Sequence, residues 1–295
     1  MRFLSFLVAM AVVACGIGAC AAVSDREVYI FRGTPLAQSG MSAGSWGSGN
    51  AVESSDTTKV LTGSRSVKIT TQGLYAGARI DFAQPVALFT EGIESTRYIV
   101  FASYFDQVQE IAPGAGTLYA YEIEPYKIPK AGMVRFVFES DAGASLAVEE
   151  PTNPLDPDDN WCRIAVPLAK FKALGDIKEF RLKRLLICTD LPTTLYLGEI
   201  KMVTDNSPIK VEPLSSQTVV IYDEVLFPAI ATGGVSSLNY SWDFDASNGI
   251  QQESTGKIGR FVYIKGGDFT VTLTVSDADN IKQPVTATAV VSVTD

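Results

Sequence analysis

The hydrophobic residues of this chain recur at every second position, in short runs separated by turn-forming residues. That period belongs to an extended strand, whose side chains alternate between two faces. In "ARIDF" it puts Ala78, Ile80 and Phe82 on one face. In "MVRFVFES" it sets Val134, Phe136 and Phe138 against Arg135, Val137 and Glu139. "TLYLGEIKMV" alternates in the same way, and "YIVFASYF" is apolar on both faces, as a central strand covered on both sides would be. Only the stretch from Leu168 to Leu174, ended by Gly175, reads as a short helix. Many short strands with little helix specify an all-β chain of sandwich type.

A chain of 295 residues is long enough for about two such units. The pattern breaks after Val203, where "TDNSPIKVEP" carries Pro208 and Pro213, and restarts beyond. The expected organisation is a first domain over 25–205, a linker over 206–212 and a smaller second domain over 213–295.

Composition removes whole classes of chemistry. The chain has no histidine, which excludes Ser-His and Cys-His nucleophile pairs and every histidine metal site. Its 24 basic and 33 acidic residues leave a net charge of −9, without the basic footprint that nucleic acid requires. Chemistry by carboxylates alone stays open. At the N-terminus, Arg2 precedes an apolar run from Phe3 to Ala14 and then small residues, the form of an export signal over 1–20. Ile17-Gly18-Ala19-Cys20 resembles a bacterial lipobox, which would make Cys20 a lipidation site and a lipid anchor the only contact with a membrane. Ala19-Cys20-Ala21 equally fits ordinary cleavage. Cys162 and Cys188 lie in strand-like runs and would either pair or serve as small buried hydrophobes.

The stretch "YSWDFD" holds two aspartates, Asp243 and Asp245, that could be catalytic carboxylates, calcium ligands or the end of a strand. The period places Tyr240, Trp242 and Phe244 together on one face, which makes Trp242 core and favours the strand end. In "FTVTLTVSDADN", Phe269, Val271, Leu273 and Val275 point one way and the threonines the other, toward solvent. With "FVYIKGGDF", these residues resemble a PKD domain, a small immunoglobulin-like sandwich. The family's W-D-F core matches Trp242, Asp243 and Phe244, and its later aromatic segment matches Tyr263, Gly267 and Phe269. The glycine-rich turn usual after W-D-F is replaced by "DASNG". The resemblance implies a non-catalytic spacer or interaction module. Neither this turn nor "LDPDDNW", with Asp156, Asp158 and Asn160, meets the calcium-loop spacing of an EF-hand.

In the first domain, "GSRSVKIT" comes early, "NWCRIAVPL" late, and the region closes on "LYLGEI". This order resembles the galactose-binding-like jelly rolls that serve as carbohydrate-binding modules. The resemblance implies a jelly-roll sandwich that stacks sugar rings on aromatic side chains. It implies no cofactor, and allows a structural calcium whose ligands the sequence does not assign. Candidate ring carriers are Tyr75, Tyr121, Tyr119, Trp46 and Tyr104, with Tyr126 behind them and Trp161 as core. Tyr75, flanked by Gly73 and Gly77 in a loop-like stretch, leads the set. Each tyrosine could instead be ordinary packing in an aromatic-rich core.

The expectation is therefore an exported, non-enzymatic protein whose partner is a polysaccharide or glycan. The alternatives are a cell-surface structural or protein-interaction module without a sugar ligand, and a glycosidase that works with two carboxylates.

Overall fold

The computed structural model describes residues 27–111 and 125–295. The signal over 1–20 with Cys20, and the ring carriers Tyr119 and Tyr121, lie outside the described residues.

The first part of the chain supplies thirteen strands. They are β1 (Val28–Phe31), β2 (Met41–Trp46), β3 (Asn50–Ser54), β4 (Ser66–Thr71), β5 (Gly77–Phe89), β6 (Arg97–Phe105) and β7 (Val108–Ile111), then β8 (Tyr126–Pro129), β9 (Met133–Ser140), β10 (Ser145–Pro151), β11 (Cys162–Pro167), β12 (Phe180–Thr189) and β13 (Thr193–Thr204). Two sheets form the sandwich: one of six strands, ordered β11-β6-β13-β4-β3 with β1 also on β13, and one of five, ordered β10-β9-β12-β5-β2. The chain crosses between them repeatedly, the habit of a jelly roll, and β7 pairs with β8 as a separate hairpin. The alternation is realised residue by residue. Ala78, Ile80 and Phe82 of β5 and Val134, Phe136 and Phe138 of β9 meet Ile99 and Phe101 of β6 in one buried core. There Phe101 stacks on Phe136 at 4.2 Å between centroids.

In β13 strict alternation fails, because a bulge between Leu197 and Glu199 shifts the register. Leu195 and Leu197 face the core before it, Ile200 and Met202 after it. At the shift sits Gly198, where a Cβ would come within 2.6 Å of the Trp161 ring, so only glycine fits. The short helix expected over Leu168–Leu174 is present, as a 3-10 helix ended by Gly175. Its two buried residues, Leu168 and Phe171, are three apart and so align on one edge of a three-residue turn.

The rest of the chain builds a smaller, immunoglobulin-like sandwich around its own core. Its strands are β14 (Lys210–Val211), β15 (Gln217–Val220), β16 (Glu224–Pro228), β17 (Ala231–Thr232), β18 (Leu238–Asp243), β19 (Ser254–Thr255), β20 (Ile258–Val262), β21 (Gly267–Asp277) and β22 (Val285–Thr294). The main sheet runs β15-β22-β21-β18-β19 with β15 parallel to β22, and β16 pairs with β20. Trp242 is fully buried and its Nε1 donates to Gly256 O at 2.9 Å. On the threonine face of β21, Thr272 is buried rather than solvated.

The two sandwiches touch. Tyr98, Val100, Ala165 and Val203, on the outer face of the six-stranded sheet, pack against Val235 and Ile281. This is the second cover that the two-sided apolar pattern of β6 required.

Candidate functional site

The outer face of the five-stranded sheet follows from register. Met41, Ala43, Ile80, Leu185 and Phe138 point into the core, so their neighbours point out. One row across the sheet pairs Trp46 with Gly77, and Cys188 with Arg135 and Glu149. The next aligns Gly44, Arg79, Leu186, Val137 and Ala147. The third aligns Ser42, Asp81, Arg184, Glu139 and Ser145.

Polar groups on this face form a ladder of opposite charges. Arg184 Nε donates to Asp81 at 2.6 Å and its Nη1 to Glu139 at 3.3 Å. Arg79 lies 2.9 Å from Asp81, and Arg135 donates to Glu149 at 3.2 Å. Each guanidinium keeps further N–H groups, and each carboxylate further lone pairs, for a ligand.

Tyr75 stands at the edge of this face. Residues 72–76 turn tightly between β4 and β5: Gln72 N donates to Ala76 O at 2.9 Å, and Gly73 has a φ of 115°. The Cys188 thiol donates to Leu74 O at 2.9 Å and ties the loop to the sheet. Tyr75 stays 70% exposed, and the Arg135 guanidinium lies 4.8 Å from its ring centroid. Trp46, half-buried, shares the same sheet face.

Tyr104 does not join them. It lies on the outer face of the opposite sheet, edge-on to Trp161 at 5.9 Å and to Tyr196 at 6.5 Å, with Lys59 Nζ 3.5 Å from its centroid. Tyr126, in β8, has Lys257 Nζ 5.6 Å from its ring. Trp161 is buried, as core. The arginines and carboxylates of the ladder were not singled out from sequence. The signal was present, since Arg79, Asp81, Arg135 and Glu139 are the outward partners in the alternating runs "ARIDF" and "MVRFVFES".

The aspartates of "YSWDFD" hold a turn. Asp243 is buried and accepts from Asp245 N at 3.1 Å and Gln251 N at 2.6 Å. Asp245 accepts from Ser247 N and Oγ. In "LDPDDNW", Arg163 bridges Asp156 at 2.9 Å and Asp159 at 2.5 Å. Among the described residues, no three Asp, Glu or Cys side chains are grouped so as to hold a metal ion. Cys162 faces the core and Cys188 the outer face of the other sheet; both are buried free thiols. Burial pushes the Cys162 thiol up to about 12 and the Cys188 thiol to about 11, which keeps both protonated and unreactive.

No family model matches this sequence, and no curated protein does. Among solved structures, the chain is similar to the CBM22-1 and GH10 modules of Clostridium thermocellum endo-1,4-β-D-xylanase 10B complexed with xylohexaose, at 10% identity and a TM-score of 0.34 over 65% of this chain. It spans 32% of that xylanase chain. It is also similar to fibronectin(III)-like modules of Clostridium thermocellum CbhA, at 10% identity and a TM-score of 0.24, over 65% of this chain and 94% of the other. The N-terminal four immunoglobulin domains of Dscam1 match at 11% identity and a TM-score of 0.25, over 90% of this chain and 70% of theirs.

Proposed function

We propose that this chain is an exported, non-catalytic carbohydrate-binding protein that holds a polysaccharide on the outer face of its five-stranded sheet. The observation that carries the reading is Tyr75, 70% exposed yet fixed by Arg135 and the Cys188-tethered loop, on the same face as Trp46. A sugar ring stacks on such a side chain with little loss of rotamer freedom. The ion-pair ladder beside it presents donors and acceptors in alternation, which suits hydroxyl groups and brings no net charge. In this reading the region 25–205 is the sugar-binding domain, with Cys20 as its lipid anchor. The PKD-like region that follows is the spacer. Asp243 and Asp245 give the glycosidase alternative no support, because Asp243 is buried with both oxygens accepting backbone N–H groups and Asp245 Oδ1 accepts from Ser247 in the same turn.

Affinity at a single face of this kind should be on the order of µM to mM, or about −8 to −4 kcal/mol. Losing one stacking ring worth ~1–2 kcal/mol weakens binding roughly tenfold. Affinity electrophoresis against neutral polysaccharides tests this: Tyr75→Ala and Trp46→Ala should each reduce retardation while the melting temperature stays close to that of the parent. Parallel loss of binding and stability would make the residue core. Failure of every polysaccharide to retard the parent would favour the protein-interaction reading. The exposed Tyr222, Ile250 and Ile264 of the second sandwich are what speaks for that reading.

A further inference from the structure

Between the two sandwiches lies a cleft of about 620 Å³, within the usual range for small-ligand sites. Its floor is the outer face of the six-stranded sheet, at Val100, Arg163 and Lys201. One wall is the 153–161 loop, the other the segment from Ala231 to Tyr240. It is on the opposite side of the first sandwich from Tyr75 and Trp46. Direct links hold the walls at a fixed spacing: Ser236 Oγ donates to the Tyr98 hydroxyl at 2.9 Å, Ser237 Oγ to Asn153 Oδ1 at 2.8 Å, and Val235 N to Asp205 at 2.9 Å. A ligand would meet a cleft already formed, without the ordering cost of assembling it.

We propose that this cleft is a second ligand site, for a short neutral hydroxylated chain of the oligosaccharide class. The charge of the lining selects for neutrality. Arg163 is matched by Asp156 and Asp159, and Lys201 by Glu27 at 2.8 Å and Glu199 at 3.6 Å. Lys257 and Asp158 remain, one of each sign, so no excess of positive charge draws an anion. Apolar surface comes from the half-buried Val235 and Leu238, with the edges of the otherwise buried Val100 and Trp161, and hydroxyl or amide groups from Thr232, Ser237 and Asn153. Apolar faces with a few convergent donors and acceptors are what the two sides of a sugar ring require.

The site is separable from the sheet face by substitution. The test uses the full exported chain carrying Trp46→Ala and Tyr75→Ala, titrated calorimetrically with neutral β-linked hexaoses of glucose, xylose and mannose, and with hexagalacturonate as the anionic arm. At least one neutral hexaose should bind. Thr232→Trp and, separately, Asp158→Trp, at exposed positions on opposite walls, should weaken that binding at least tenfold and leave the ligand-free melting temperature unchanged. The proposal falls if no neutral hexaose binds this double variant, if hexagalacturonate binds in preference, or if both wall variants bind like their parent. Binding lost entirely with Trp46 and Tyr75 would leave the sheet face as the one site. Binding untouched by their loss but abolished from the walls would leave the cleft and remove the sheet face.

Discussion

Trp242 and Tyr75 show how differently two aromatic residues can behave in one chain. Trp242 has no exposed surface, lies near-parallel to Phe244 with centroids 6.2 Å apart, and abuts Gly259, where a Cβ would come within 2.6 Å of the indole. Its truncation leaves a cavity, an unpaired Gly256 carbonyl and a glycine with nothing to cover. Trp242→Ala should therefore cost about 3–5 kcal/mol in urea denaturation followed by far-UV circular dichroism. Tyr75→Ala removes a side chain that is 70% exposed and should stay within about 0.5 kcal/mol of the parent. A loss below about 1 kcal/mol for Trp242→Ala would mean that the indole is not part of the core.

Among the elements, the short 3-10 helix has a second role beyond filling the core with Phe171. Its Lys170 lies 2.6 Å from Glu150 of β10 and 3.2 Å from Asp279, in the turn after β21. Two carboxylates from two sandwiches share one ammonium. Burial pushes Glu150 up to about 7, Lys170 pulling against it, and burial raises Asp279 as well. A raised carboxyl holds its proton in the folded state where the unfolded chain has lost it. Glu150 thus stabilises the fold fully below about pH 4.5, and that contribution disappears as pH rises through about 7. The span corresponds to roughly 3 kcal/mol at most. Melting temperatures from pH 5 to 8 should fall more steeply for the parent than for Glu150→Gln; parallel curves would refute the assignment. None of this cluster was legible in the sequence, because Glu150, Lys170 and Asp279 are distant in the chain and meet only through tertiary packing. What was legible obeys local rules. The strands β5, β9 and β21 are written in their alternation, and β6 in a run apolar on both faces. Trp242 as core followed from the face it shares with Tyr240 and Phe244. The bulge in β13 does leave a mark in the sequence, a change of phase at Gly198 from Leu195 and Leu197 to Ile200 and Met202, but a strict two-residue period passes over it. The site was half legible: period assigns Arg79 and Arg135 to an outer face, but only strand order brings Trp46 and Tyr75 to that same face.

Across the whole molecule, the sandwiches are locked by one buried ion pair. Lys282 Nζ lies 2.6 Å from Asp205, also donates to Gly233 O, and both side chains are almost wholly buried. Burial alone would raise the Asp205 carboxyl; Lys282 and the N–H groups of Val235 and Ser207 overcome it and leave it lowered. Its contribution is therefore present above the ordinary carboxylate range and fades as pH falls through it, the opposite sign to Glu150. The two clusters together should give the contact between sandwiches a maximum in mildly acidic solution. Removing one partner of a buried pair strands the other, so Lys282→Met should cost about 3–5 kcal/mol. Replacing both, as Asp205→Asn with Lys282→Met, removes the stranded charge and should recover a large part of that loss. Limited proteolysis in the segment 206–212 reads the same contact. Cleavage should be slowest near pH 4 to 5 in the parent, where Glu150 and Asp205 both contribute, faster in Lys282→Met, and intermediate in the double variant. Equal cleavage in all three would show that Asp205 and Lys282 do not hold the sandwiches together, and the cleft beside them would lose the rigidity argued for it.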